Sequence, residues 1–253
     1  MGCLSLPTVT LCAVASVNVA ATVRALQISL GKIDFADCLL FTDASIAPGA
    51  EIQLVSIPKI RSAAAYSEFM LRELVGHIRT EHCLVVQWDG FVLDADAWDP
   101  AFLQWDYIGA PWPQFTDGRD VGNGGFSLRS RRLLEACCDP GFQPGHPEDV
   151  AICRTNRDLL ESGHGIRFAD RSIAERFSYE RTLPRGPTFG FHGIFNMVSE
   201  VGVEEFWSTY MTLDDRSTAG TDFRLIMRQL GAGSNSFRRR LRFAVDGLKR
   251  AFG

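Results

Sequence analysis

Asp89 stands just past the short run Leu84-Val85-Val86 and is followed by Gly90-Phe91-Val92. The run is apolar and β-branched, so it predicts a buried strand. A carboxylate at the carboxyl end of a strand, followed by a glycine that admits a close ligand, is where a metal–phosphate site forms in an α/β sheet. The same stretch also reads as a strand ending in an ordinary Asp-Gly turn. Glu148-Asp149, after Pro147, fall in the first turn of a predicted helix, where the dipole stabilises any carboxylate by about 0.3–1 kcal/mol. They are either plain first-turn acids or, at Asp149, a general base kept ionised by the same field. His192 lies between Phe191 and Gly193. It is a metal ligand if other ligands converge on it, and otherwise a buried, hydrogen-bonded histidine. Gly122-Asn123-Gly124-Gly125 brings backbone close to something, or makes a tight turn. Trp98, Trp105, Tyr107 and Trp112 crowd the segment from Asp94 to Trp112, as ring platforms or as packing.

The elements that must position these residues follow from pattern. Thr8 to Ala15, Cys38 to Thr42, Gln53 to Ile57 and His82 to Gln87 predict strands. Asn18 caps a helix to Leu30, which Gly31 ends, and Ser62 caps a helix to Ile78. Strand–helix alternation argues a mostly parallel sheet flanked by helices. Right-handed crossovers then put Ser16, Asp43 and Asp89 along one sheet edge. Further on, a short strand is expected from Tyr107 to Gly109, a helix capped by Ser130 through Cys138, a helix from Pro147 to Ser162, and a short strand from Ile166 to Phe168. G-x-G-x-x-G does not follow the first strand and G-x-x-x-x-G-K-[ST] does not occur, which disfavours a dinucleotide site and a P-loop.

Composition fits this reading. The chain has 253 residues, 46% hydrophobic and 22% charged, with a net charge of −4. That suits a folded α/β protein with no global basic field for nucleic acid. Basic residues concentrate at the C-terminus, where Arg238, Arg239, Arg240, Arg242, Lys249 and Arg250 face one acid, Asp246. Seven cysteines without a CxxC read as reduced, small buried residues in a cytoplasmic protein. The uncharged stretch from Leu4 to Val23 lacks the basic n-region of a signal peptide, so a first strand is expected there instead. Met1-Gly2-Cys3 does not complete a myristoylation signal.

The order of the candidate residues is more specific than any one of them. A strand-end Asp, a glycine-rich Asn loop, Glu-Asp at a helix start and then Phe-His-Gly resemble the GT-A class of nucleotide-sugar glycosyltransferases. Asn123-Gly124-Gly125-Phe126-Ser127-Leu128-Arg129-Ser130 with Glu148-Asp149-Val150 is similar to the beta-1,4-galactosyltransferase branch. More closely, Val85 to Val92, Gly109-Ala110-Pro111-Trp112-Pro113, Asn123 to Arg131 and Phe189 to Gly193 resemble an uncharacterised bacterial family grouped with glycosyltransferases, over about residues 8 to 196. The resemblance implies a GT-A-like α/β domain, set here at residues 1–202, and the end of the chain lies outside it, where a helical appendage is expected over 203–253. It implies sugar transfer from a nucleotide diphosphate donor to a glycan or lipid-linked acceptor hydroxyl, with inversion. Asp89 and His192 would hold Mn2+ or Mg2+, with Gln87, Asp89, Ser16 and Asp43 on the donor. Asn123, Gly124, Gly125 and Trp112 would line the acceptor side, with Asp149 as base and Glu148 beside it. The pattern departs at Gln87-Trp88-Asp89, where the family's first carboxylate is an amide. A nucleotidyltransferase of the same architecture and a non-catalytic carbohydrate- or nucleotide-binding module are the alternative functions.

At the end of the chain, Phe237, Leu241, Val245, Leu248 and Phe252 recur every three or four residues. They predict an amphipathic helix that either docks on the protein or lies at an anionic membrane surface, placing a cytoplasmic protein peripherally at the inner membrane.

Overall fold

A computed structural model describes residues 4–252, with the side chains of residues 249–252 outside the described set. Cys3, Lys249, Arg250 and Phe252 therefore lie outside the described side chains. The chain divides into two units, Met1–His192 and Gly193–Gly253. The division falls after His192, whereas the sequence reading sets it after Gly202.

The first unit opens with β1 (Leu4–Val14), α1 (Val19–Leu30), β2 (Ile33–Thr42) and β3 (Gln53–Ser56). Next come α2 (Ala63–Glu68), β4 (His82–Val86), β5 (Tyr107–Ile108), β6 (Phe126–Ser130) and α3 (Arg131–Ala136). The unit closes with α4 (Glu148–Val150), α5 (Arg171–Phe177), β7 (Ser178–Tyr179) and β8 (Gly190–Phe191). The main sheet runs β3-β2-β1-β4-β6-β5. The pairs among β3, β2, β1 and β4 are parallel, while β6 is antiparallel to both β4 and β5.

Alternation along the strands explains the layers. Leu11 and Ala13 of β1 share a core with Leu40, Leu84 and Val86, and with Val19 and Leu26 of α1. Their neighbours Cys12 and Val14 join Leu39, Phe41, Cys83 and Val85 against Phe69, Met70 and Leu74, which follow α2. Both faces of the sheet are thus covered, which is why its strands read as near-continuous apolar runs. The cysteines at 12, 38, 83, 137 and 153 are buried free thiols, and Cys138 is exposed.

Local signals are met unevenly. Ser62 Oγ accepts from the Ala65 N–H at 3.1 Å, and Ser130 Oγ accepts from the Leu133 N–H at 3.0 Å. Asn18 does stand before α1, but in a left-handed conformation (φ 54°) and with no side-chain capping bond. Pro147 is the residue before α4 and not its first helical residue. β2 begins five residues earlier than the apolar run, because Ile33–Asp37 pairs with β1 through alternating exposed positions.

The second unit holds α6 (Ile194–Val201), α7 (Val203–Thr212), α8 (Phe223–Gln229) and α9 (Ser236–Phe252). Gly202, at φ 80°, breaks α6 from α7. Phe206, Tyr210, Ile226 and Phe243 are buried. The Phe243 ring stacks on Phe223 and tilts against Tyr210.

Candidate functional site

The parallel strands deliver Ser16, Asp43 and Asp89 to the sheet edge formed by the carboxyl ends of β1, β2 and β4. Because β6 is antiparallel to β4, its beginning lies at that same edge, with Phe126 opposite Val86. The loop Asn123–Gly125 that feeds β6 is thereby brought beside Asp89. The Gln87 N–H fixes the approach by donating to Gly125 O at 2.9 Å.

His192 is the hub. Its Nε2 lies 3.2 Å from Gln87 Oε1 and 3.4 Å from Asp89 Oδ1. Its Nδ1 lies 3.3 Å from Glu180 Oε1 and 3.1 Å from Asn123 Nδ2. Asn123 Oδ1 accepts the N–H groups of Gly125 and Phe126, so its amide nitrogen is the end that faces the ring. Burial disfavours charge on His192, but the Asp89 carboxylate, followed by Glu180, outweighs it and holds the ring pKa up at about 10. Burial likewise pushes Glu180 up, yet hydrogen bonds from His192 and Asn123 leave its carboxyl below the usual range. Gln87 in turn donates to the Tyr66 hydroxyl at 3.1 Å.

The glycines here are fixed by contact. A Cβ on Gly125 would stand 2.1 Å from His192 Nε2, and one on Gly124 would stand 2.2 Å from Glu148 Oε1. Asn123 holds a left-handed backbone (φ 65°), which asparagine adopts more readily than most residues.

Asp149 reaches the same loop. Its Oδ2 accepts the Gly124 N–H at 3.1 Å, and its Oδ1 accepts the N–H of Val150 at 2.8 Å. Burial and then the neighbouring Glu148 push its carboxyl above the ordinary value, against the pull of these N–H groups and Arg129.

Glu148 does something different. It is buried and pairs at 3.0 Å with Arg129, whose side chain is fully buried. Arg129 also donates to Ser127 Oγ at 3.0 Å and lies over the Tyr107 ring. Tyr107 closes the circuit by donating its hydroxyl to Asn123 O at 3.1 Å. Glu148 and Arg129 thus brace the loop from behind.

The structure gathers Gln87, Asp89, Asn123, Gly124, Gly125, Asp149 and His192 into one hydrogen-bonded chain. It does not bring Trp112 into it: the ring is buried against Gly122 and Phe115, as core packing and not a platform. Ser16 Oγ is taken by the Ile60 N–H at 2.9 Å, and Asp43 is exposed just beyond β2. Glu180 is the member the sequence reading lacked. It follows β7, whose parallel register sets Tyr179 beside Phe191, so Glu180 arrives next to His192. Two-residue strands leave no periodic signal to find it by.

Among the described residues no group of three or more His, Cys, Asp or Glu side chains converges as metal ligands do. The donors described here are a carboxylate oxygen (Asp89) and an amide oxygen (Gln87), each within 3.4 Å of the ring nitrogen of His192. That set fits a hard divalent cation of the kind held by one or two carboxylates plus substrate phosphates. Glu180 stands where an outer carboxylate would orient a ligating histidine through its other nitrogen.

Solved structures similar to the chain include glucosyl-3-phosphoglycerate synthase from Mycobacterium tuberculosis, in complex with Mn2+, UDP and glucosyl-3-phosphoglycerate. It shows 13% identity and a TM-score of 0.40 over 62% of this chain and 67% of that one. A197 from STIV is similar at 14% identity and a TM-score of 0.35, over 63% and 78%. No curated protein matches. Residues 50–192, which contain every member of the hydrogen-bonded chain, match the family described as protein of unknown function (DUF5672), and the protein belongs to that family.

Proposed function

We propose that this site transfers a sugar from a nucleotide diphosphate donor to an acceptor hydroxyl, with inversion. One observation carries the reading. A half-buried carboxylate, Asp149, is tied through Gly124 and Asn123 to a cation-competent cluster, Asp89–His192–Gln87, at the carboxyl edge of a mostly parallel sheet. Ligands bind at such edges. Asp149 takes the acceptor proton, and its raised pKa matches that task better than an ordinary carboxylate would. The N–H groups of Gly124 and Val150 keep it aimed. Asp89 and His192, with the Gln87 amide oxygen, would hold Mn2+ or Mg2+. The cation would supply positive charge to the diphosphate leaving group. For this role His192 would give up its Nε2 proton and keep the Nδ1 proton that it donates to Glu180, so cation uptake would release protons. Asn123, Gly124 and Gly125 line the acceptor side, and Ser16 and Asp43 flank the donor nucleoside along the same edge.

A second reading, a non-catalytic carbohydrate- or nucleotide-binding module, draws support from Gln87, which leaves the cluster one carboxylate short. A nucleotidyltransferase would add a nucleoside monophosphate and release pyrophosphate. Incubating the protein with a panel of nucleotide sugars and candidate acceptors, with and without Mn2+, separates the three. Free nucleoside diphosphate formed by wild type and not by Asp149→Asn supports the proposal. Binding without turnover supports the module, and pyrophosphate release from a nucleoside triphosphate supports the nucleotidyltransferase.

A further inference from the structure

The helix α9 is docked by the face its sequence does not advertise. Phe243 stacks on Phe223 with ring centroids 5.0 Å apart. Asp246 accepts from Tyr210 at 3.2 Å and pairs with Arg216 at 2.9 Å. Arg239, almost wholly buried, pairs with Glu204. One aromatic ring and two ion pairs thus hold the helix within the second unit. The apolar stripe points the other way. Phe237 is 76% exposed, Leu241 55%, Val245 38% and Leu248 58%. At 100° per residue these four positions fall within an arc of about 80°. Arg238 and Arg242, both exposed, are the next positions around the helix on one side, Arg242 also pairing with Asp246 at 3.3 Å. Arg240 borders the other side, where it donates to Met227 O at 2.9 Å. Leu248 and Ala244 also border a mainly apolar groove of about 810 Å³ that runs to Phe223 and Thr221.

A stripe of large apolar side chains left in water, with arginines along its borders, is the pattern of a helix lying in a bilayer interface. At that depth the apolar face meets acyl chains and the bordering guanidiniums meet headgroup phosphates. A second copy of the chain fits the stripe less well, because an isologous contact would bring together two stripes that are both bordered by arginines, like charge against like. The whole protein is net negative, −4, so attraction to an anionic surface has to be local and confined to this helix. We propose that α9 is a membrane-surface helix, burying Phe237, Leu241, Val245 and Leu248 in an anionic bilayer interface while Arg238 and Arg242 bind lipid phosphates. The proposal goes beyond the sugar-transfer reading and does not depend on it.

Flotation of the full chain with vesicles tests it, using phosphatidylcholine alone and phosphatidylcholine with phosphatidylglycerol, at low and high salt. The full chain should float with the anionic vesicles at low salt and lose most of that at high salt. Arg238→Gln should weaken partition about fivefold. Leu241→Gln with Leu248→Gln should weaken it about tenfold or more. All three positions are exposed, and circular dichroism checks that the helix remains. Wild type left at the bottom of the gradient with anionic vesicles overturns the proposal, as does equal flotation of wild type and both variants. A dimer in sedimentation that the double leucine variant disperses, without flotation, assigns the stripe to a second copy and overturns it as well.

Discussion

Asp149 and Glu148 are adjacent in sequence and share one helix start, yet Glu148 pairs with the buried Arg129 while Asp149 meets the Gly124 N–H. Asp149→Asn keeps an acceptor for the Gly124 or Val150 N–H, so the fold should hold. Turnover should drop by about 10²–10⁴, the usual worth of a positioned base, while donor binding in calorimetry stays near wild type. The sign of the pH effect follows from burial. The Asp149 carboxyl is pushed above its ordinary value, and a base must be ionised, so activity should fall with decreasing pH through a value above that of an ordinary aspartate. The fold disfavours the ionised form, so neutralising this side chain should not lower stability at neutral pH. Glu148→Ala is the contrasting case. It strands the fully buried Arg129 guanidinium, and breaking a buried pair costs about 3–5 kcal/mol, readable as a lowered midpoint in urea. At the cation cluster, Asp89→Ala removes the one carboxylate that faces His192 Nε2. Mn2+-dependent binding of a nucleoside diphosphate should be lost in calorimetry, and unchanged affinity in a folded variant would remove Asp89 from the site. Asp89, Asp149 and His192 were legible because each sits at a punctuated place: a strand end, a helix start, a glycine bracket. Glu180 and Arg129 were not legible as site residues, since their roles come from strand register and from burial, neither of which leaves a local mark.

At the scale of elements, the sheet edge works because β6 runs against β4. A parallel β6 would carry the loop Asn123–Gly125 to the far end of the sheet. The loop is then seated so tightly that its glycines leave no room for change. Gly125→Ala would put a methyl group 2.1 Å from His192 Nε2, and with the Gln87 N–H held on Gly125 O the loop has little room to withdraw. The ring should swing off Gln87 and Asp89, and Mn2+ binding should weaken at least tenfold, a shift of about 1.4 kcal/mol. Gly118→Ala, in open space on the neighbouring loop but at φ 76°, should cost stability without touching that binding. Strand positions and helix caps at Ser62 and Ser130 could be read from the sequence because burial on both sheet faces and a hydroxyl before a helix are local signals. Asn18 and Trp112 could not. Asn18 takes a left-handed backbone that its place before a helix does not announce, and the burial of Trp112 depends on a glycine ten residues away, Gly122, whose missing side chain makes the space for the ring.

Across the whole molecule, the residues of the candidate site described above all belong to the first unit. Tyr66, Gln87, Asp89, Tyr107, Asn123, Gly124, Arg129, Glu148, Asp149, Glu180 and His192 all precede the division at Gly193, and the family match ends at His192 as well. The first unit also has apolar clusters on both faces of its own sheet. The proposed chemistry therefore rests on residues of the first unit, and the second unit carries the exposed stripe of α9. A chain ending at His192 should fold cooperatively, because domains of about this size bury enough apolar surface to do so. It should also bind a nucleoside diphosphate with Mn2+ as the full chain does, within a factor of about two, because changes at distant, independent sites add within about 0.3–0.5 kcal/mol. The same shortened chain should stay at the bottom of a vesicle gradient, having lost α9. Urea unfolding, calorimetry and flotation on one preparation read the three properties separately. A cooperative fold that no longer binds the diphosphate would mean that the second unit contributes to the site, and the boundary of the functional unit would then lie beyond His192.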